Sequence, residues 1–219
     1  MASLMSSHRI DQAFENDDFV AYVVDDDPLV VRSICTLLAS QNIKTLEFTS
    51  AKDFISNVEV MKRSCVICDY KMPEMDGLQV QEHLIAHGIE IPLIFLSGEA
   101  NVQMTVQAFK GGAVTVIQKP FETEVFLQEI RQAFHASESN WERRDALDKF
   151  EDVTVSELLV LKHLVAGKIN KQIARLIGQS ERTVERRKFK ILEKTKTSSI
   201  VEAADTARKA GIDLSLPEV

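Results

Sequence analysis

Asp25, Asp26 and Asp27 stand together directly after the apolar run VAYVV at 20–24, and Asp69 follows a second apolar run, CVIC at 65–68. A third run, PLIFLS at 92–97, ends in Ser97 and is followed by Gly98; a fourth, TVIQ at 115–118, is followed by Lys119-Pro120. Carboxylates gathered at one edge repel one another unless a cation neutralises them. Hard oxygen ligands favour magnesium, which tolerates retained waters and a substrate phosphate. An aspartate beside such an ion can act as a nucleophile toward a phosphoryl group. A lysine and a hydroxyl nearby can then hold the new phosphoryl oxygens. Each stretch also has an ordinary explanation: an acidic run caps a helix, Ser-Gly makes a turn, Lys-Pro closes a strand. Four such stretches in one order require four coincidences.

The second chemistry is cationic. Residues 162–196 hold 11 Lys/Arg and 3 Asp/Glu. Such a stretch is a candidate nucleic-acid footprint, although a solvated basic helix surface would read the same way.

The elements that must position these groups follow from periodicity. Between the apolar runs lie helical patterns: Pro28 to Ser40, with Val31, Ile34, Leu37 and Leu38 on one stripe; Ala51 to Val58; Gly77 to His87; Val102 to Lys110; and Glu122 to about His135. A further short strand, LEFT, occupies 46–49. Strands alternating with helices imply an α/β domain with a doubly wound parallel sheet of five strands, flavodoxin-like, whose functional groups gather at the carboxyl ends of the strands. Near-continuous apolar strands fit a sheet covered on both faces.

After residue 136 the strand signal ends. Residues 137–152 are polar, without Gly or Pro, and read as a linker that is able to be helical. Residues 153–212 are helical throughout and read as an all-α domain. Thr154 and Glu157 fit a capping box, Asn170 and Ser180 fit helix caps, and Gly178 marks a tight turn. A short helix, a Gly-containing turn and a basic helix make a helix-turn-helix pattern. Residues 1–18 and 213–219 read as tails.

The N-terminal pattern resembles the receiver domain of response regulators over residues 19–136. The resemblance rests on VVDD at 23–26, CDYKMPEMDG at 68–77, LSG at 96–98 and KPF at 119–121. It implies that Asp69 is the phosphoacceptor. Asp25, Asp26, Asp69 and the backbone carbonyl of Lys71 would bind Mg2+. Lys119 and Ser97 would contact the phosphoryl group, and Pro120 would follow a cis peptide. The position three before the lysine is usually Tyr or Phe in this family; here it is Val116, which weakens the usual switch. The surface from Val102 to Lys110 and Val114 to Gln118 is the expected phosphorylation-dependent dimer contact. Asp27 reads as a helix cap.

Residues 153–212 resemble the LuxR-type helix-turn-helix of the NarL/FixJ class, through NKQIA at 170–174 and LIGQSERTVERRK at 176–188. By that resemblance Glu181 to Lys194 enters the major groove. Glu185, Arg186 and Phe189 would face bases, with Arg186 pairing with guanine and Glu185 accepting from a cytosine amino group. Lys171, Arg182, Thr183, Arg187 and Lys190 would contact phosphates. The last helix, with Ala203, Ala204 and Ala207, has a small-residue face that either packs on its own domain or pairs two copies. The implied partners are a sensor histidine kinase, double-stranded DNA, a second copy of the chain and RNA polymerase.

Composition agrees with two functions. The net charge is −7. Residues 148–219 carry 14 Lys/Arg and 11 Asp/Glu, a balance of +3, which leaves −10 for residues 1–147. No stretch approaches the roughly 20 apolar residues of a membrane span, and MASLMSSHRIDQ lacks a signal-peptide core, so the expected compartment is the cytoplasm. Cys35, Cys65 and Cys68 are an odd set that argues against a disulfide framework. Cys65 and Cys68 lie three apart on a strand, hence on opposite faces, and cannot easily share a metal. Two other readings exist. DNA binding could be independent of phosphorylation, a reading that Val116 invites. A phosphoaspartyl hydrolase would need Asp-x-Asp after the first strand, whereas here the pair is adjacent and the candidate nucleophile follows the third.

Overall fold

The computed structural model describes residues 19–99 and 102–216; the tail expected over 1–18 lies outside them, as do residues 217–219 of the C-terminal tail. The chain forms two compact units that divide between Asn140 and Trp141.

The first unit alternates β1 (Val20–Val24), α1 (Pro28–Ala39), β2 (Lys44–Phe48), α2 (Ala51–Asn57), β3 (Ser64–Asp69), α3 (Gly77–Ala86), β4 (Leu93–Ser97), α4 (Val102–Lys110), β5 (Thr115–Gln118) and the start of α5 (Thr123–Phe150). All strand pairs are parallel, in the order β2-β1-β3-β4-β5. This is the flavodoxin-like order.

The two-residue period of the strands sorts the core into two layers. Ala21, Val23, Cys65, Ile67, Ile94, Leu96 and Ile117 face α1 and α5, packing on Val31, Leu38, Phe126 and Ile130. Tyr22, Val24, Val66, Cys68, Leu93 and Phe95 face α2, α3 and α4, packing on Phe54, Val80, Leu84 and Met104, with Val116 half-buried on that side. Each large side chain so buried contributes about 1.5–3 kcal/mol. Cys65 and Cys68 fall in opposite layers, both fully buried, and burial drives both thiol pKa values well upward.

Caps fix where the helices begin. Asp27 accepts from the Leu29 amide at 2.8 Å, with Pro28 in the first turn of α1. Asp76 and Gln79 form a reciprocal capping box at the start of α3. Such caps satisfy donors that the first turn cannot.

Two boundaries differ from the sequence reading by more than one residue. β2 starts at Lys44 rather than Leu46, because the Lys44 amide bonds to the Phe19 carbonyl at 3.1 Å and extends the ladder. α5 does not stop near His135 but continues to Phe150. Ser137 Oγ accepts from the Ser64 amide at 3.0 Å, and Glu138 pairs with Arg63 at 2.7 Å, so this part of the helix is tied to the first unit. Farther along, Phe150 is buried in the core of the second unit. The segment read as a linker therefore offers buried anchors at both ends.

The second unit holds the end of α5 and α6 (Val155–Val165), α7 (Asn170–Leu176), α8 (Glu181–Thr195) and α9 (Ile200–Lys209). Val160, Leu161, Ile173, Val184, Ile191, Ala203 and Ala207 form its core. The capping box of Thr154 and Glu157 is present, and Ser180 and Ser199 cap α8 and α9. Asn170 is not a cap: it is the first helical residue of α7, the cap position is Ile169, and the Gln172 side chain accepts the Ile169 amide instead. The alanine face of α9 is turned into its own domain, with Ala203, Ala204 and Ala207 all buried, so it offers no pairing surface.

Candidate functional site

The register of the sheet brings the acidic groups together. Val24 lies opposite Cys68, so the next residues along these strands, Asp25 and Asp69, are neighbours at the carboxyl edge. Ser97 closes β4 beside Gln118, one residue before Lys119. The peptide between Lys119 and Pro120 is cis, and the Lys119 amide bonds to the Ser97 carbonyl at 2.7 Å.

Lys119 is the hub of the site. Its Nζ donates to Asp25 Oδ2 and to Asp69 Oδ1, each at 2.6 Å. The other oxygens are also engaged: Asp25 Oδ1 accepts the Asp27 amide at 2.9 Å, and Asp69 Oδ2 accepts the Lys71 amide at 2.7 Å. Asp25 is only 3% exposed and Asp69 8%, whereas Asp26 is exposed. Burial raises the Asp69 pKa above the usual carboxylate value, against the pull of Lys119. Burial works to lower the Lys119 pKa, but its bonds to Asp25 and Asp69 outweigh this and raise it. The ammonium is therefore firmly charged, while Asp69 is a carboxylate made more basic by its surroundings.

Ser97 is buried beside this group, and its Oγ accepts the Glu99 amide at 3.2 Å. The Lys71 side chain points to Glu99 at 3.0 Å, an exposed pair at the rim. Gly77 sits beneath the loop after Asp69. A Cβ there would lie 2.8 Å from the Asp69 carbonyl oxygen and 2.7 Å from Phe95 Cε1, so only glycine fits without displacement.

Among the described residues no three Asp, Glu, His or Cys side chains are already gathered at metal-ligand spacing. The donor set still suits a hard cation. Two buried carboxylates share one ammonium and exposed Asp26 follows Asp25 in the chain, a formal surplus of two negative charges, and every candidate side-chain ligand is oxygen. Magnesium takes few protein ligands and keeps waters, so two buried carboxylates, exposed Asp26 and the Lys71 carbonyl fit it.

In the second unit α7, a turn through Gly178 at φ +64° and α8 make the helix-turn-helix. Val184 and Ile191 are buried, which turns the opposite side of α8 outward. Arg182, Arg186, Phe189 and Lys190 are exposed there, as is Lys171 on α7; Thr183, Glu185 and Arg187 are half-buried. Phe189 is 64% exposed, a large apolar ring on a basic surface. Ser180, Arg182, Thr183, Glu185, Arg186 and Phe189 line one shallow groove. Thr183 is bonded through its hydroxyl to Ser180 at 2.9 Å. Glu185 accepts a hydrogen bond from the Asn170 side chain, a contact that sequence spacing gave no sign of. Lys194, at the end of α8, is spent on Glu157 at 2.7 Å and on the Asp152 carbonyl at 2.8 Å. No described helix is long and apolar enough to cross a membrane.

Comparison with known proteins agrees with both units. Residues 21–131 match the family model of the response regulator receiver domain, and residues 153–207 match that of bacterial regulatory proteins of the luxR family. The chain is 35% identical over 193 residues to the response regulator protein TmoT of Ectopseudomonas mendocina, covering 86% of this chain and 88% of that protein. It is 38% identical over 185 residues to the response regulator protein TodT of Pseudomonas putida, covering 83% and 82%. Among solved structures it is similar to the response regulator StyR, with a TM-score of 0.68 and 30% identity over 88% of this chain and 99% of that one. Such regulators work with a sensor kinase and bind DNA; they are transcription regulators, not enzymes. The chain belongs to the two-component response regulators of the NarL/FixJ family, a receiver domain joined to a LuxR-type helix-turn-helix.

Proposed function

We propose that Asp69 is the phosphoacceptor and that its modification drives pairing of two chains and their binding to a two-fold DNA site. The observation that carries this reading is the pair of 2.6 Å contacts from Lys119 Nζ to Asp25 and Asp69. An Asp69 oxygen attacks phosphorus of a phosphohistidine or small phosphodonor. The new P–O bond to Asp69 forms as the donor's own bond to phosphorus breaks and its leaving atom keeps the electron pair; with phosphohistidine that bond is P–N and the leaving nitrogen takes up a proton. Lys119 holds Asp69 ionised for the attack and then pairs with the phosphoryl oxygens. The Ser97 hydroxyl leaves the Glu99 amide and donates to the same group. Mg2+, held by Asp25, Asp26, Asp69 and the Lys71 carbonyl, would screen the negative charge of the incoming group.

The modified receiver then favours pairing through α4 and β5, where Val102, Val106 and Phe109 are exposed apolar side chains. Pairing raises DNA affinity because the second half-site binds intramolecularly. Arg186, Glu185 and Phe189 read bases, while Lys171, Arg182, Thr183, Arg187 and Lys190 hold phosphates. RNA polymerase is a further partner on this reading, and the cytoplasm is the site of action. Sedimentation of the chain with magnesium, with and without beryllofluoride, tests it. A shift from monomer to dimer in wild type but not in Asp69→Asn is expected; assembly that ignores Asp69 overturns it.

Val116 supports a second reading, in which DNA binding does not depend on modification. It is an aliphatic side chain, half-buried against the layer of Phe95 and Met104, with no ring to swing between two positions. Equal operator affinity with and without beryllofluoride would select this reading.

A further inference from the structure

Glu185 is out of place by charge. It lies on α8 among Arg182, Arg186, Arg187 and Lys188, on the surface proposed to approach an anionic duplex. No ion pair joins it to any of these cations among the described residues; its partner is the neutral amide of Asn170, fifteen residues earlier on α7. A carboxylate accepts only, so the Asn170 amide must present its nitrogen and the Asn170 orientation is fixed. The bond engages Glu185 Oε2, no hydrogen bond among the described residues engages Oε1, and Glu185 lines the same groove as Arg186 and Phe189.

We infer that Asn170 is a positioning residue for base recognition, holding the Glu185 carboxylate in one orientation so that its second oxygen selects cytosine at one position of each half-site. This rests on the reading of α8 as the groove-reading helix. A free carboxylate near phosphates is repelled and gains affinity only where a base offers it a donor. In the major groove cytosine offers its N4 amino group without an adjacent acceptor, whereas adenine sets N7 beside its N6 amino group and guanine and thymine offer acceptors. Had an arginine neutralised Glu185, the carboxylate would have lost this preference. A neutral clamp orients it without pairing it to a cation.

The test is site selection from randomised duplexes with the full chain, magnesium and beryllofluoride, comparing wild type, Asn170→Ala, Asn170→Ser, Glu185→Ala and the double variant. Wild type should prefer cytosine at one position per half-site by about tenfold. Asn170→Ala should lose most of that preference at this position alone, with other positions, affinity for unrelated DNA and melting temperature unchanged. Asn170→Ser, which keeps a donor, should recover part of it. The double variant should match Glu185→Ala at that position, since the two act as one unit. Asn170→Ala with the cytosine preference intact overturns the inference, as does a loss spread evenly over all positions. If Glu185→Ala leaves every preference in place, Glu185 is no base reader. If wild type selects no sequence at all, the DNA-reading assignment of α8 itself is wrong.

Discussion

Lys119 Nζ stands 2.6 Å from Asp69 Oδ1, and the same ammonium is equally close to Asp25 Oδ2. One cation thus serves two buried carboxylates drawn from different strands. The contact explains how a carboxylate that burial makes harder to ionise can stay charged and reactive.

Replacing Lys119 by alanine should uncover this dependence. Losing one partner of a buried ion pair strands the other charge, and with a quarter of the lysine exposed the expected cost is about 1–3 kcal/mol. Magnesium should restore much of it by binding the folded form. Thermal melts with and without magnesium check this; equal losses in both would show that the carboxylates do not share a cation site.

Asp69→Asn should abolish labelling by a radiolabelled small phosphodonor while leaving the fold cooperative. Ser97→Ala should still accept label, since Ser97 only receives the product, but beryllofluoride should then fail to produce full assembly. Filter binding and sedimentation on the two variants separate the roles. Label remaining on Asp69→Asn would move the acceptor elsewhere.

Gly77→Ala forces a methyl to within 2.8 Å of the Asp69 carbonyl and 2.7 Å of the Phe95 ring. Overpacking of this kind costs about 1–3 kcal/mol. Because the clash bears on the Asp69 backbone, phosphodonor labelling should slow by more than the loss of folded fraction accounts for. Urea titration alongside labelling would show it.

The second unit should carry an acid-sensitive ion pair. Burial works to raise the Glu157 pKa, but the Lys194 ammonium and the Thr154 amide donate to its carboxylate and hold it below the usual glutamate value. A folded pKa below the unfolded one stabilises above the unfolded pKa, and that gain is lost as pH falls through the folded pKa. Glu157→Gln should therefore melt below wild type at pH 7, with the gap closing as pH drops beneath the ordinary glutamate range. A gap independent of pH would assign the effect to packing.

On DNA the phosphate-holding and base-reading residues should separate by salt. Lys190→Ala should weaken all duplexes alike and reduce the slope of log affinity against log salt by about one. Arg186→Ala should relax preference at one base position, at a cost of about 1–3 kcal/mol on the preferred site. Fluorescence anisotropy at several salt concentrations distinguishes them.

Much of this was legible in the sequence because a two-residue period and strand-end polarity are local. Tyr22 and Val23, or Cys65 and Cys68, are assigned to opposite layers by counting alone. The ends of elements were less so. Nothing between His135 and Phe150 breaks a helix, and what holds it, Ser137 to Ser64 and Glu138 to Arg63, spans more than seventy residues. Asn170 has the composition of a cap, but its side chain is claimed by Glu185 across a turn that sequence spacing does not measure. The Lys119 bridge likewise joins residues 94 and 50 apart, and only the assembled sheet brings them together.

The three cysteines are all buried, and all lie in the first unit; the single tryptophan, Trp141, falls in the second. The thiols are therefore native reporters of the first unit alone. Thiol labelling can occur only when the receiver opens, so its rate is a clock for that unit. Trp141, 38% exposed and one residue past the division between the units, supplies indole fluorescence as a second signal. The response of the receiver to magnesium, beryllofluoride or operator DNA can thus be timed without any substitution in the protein.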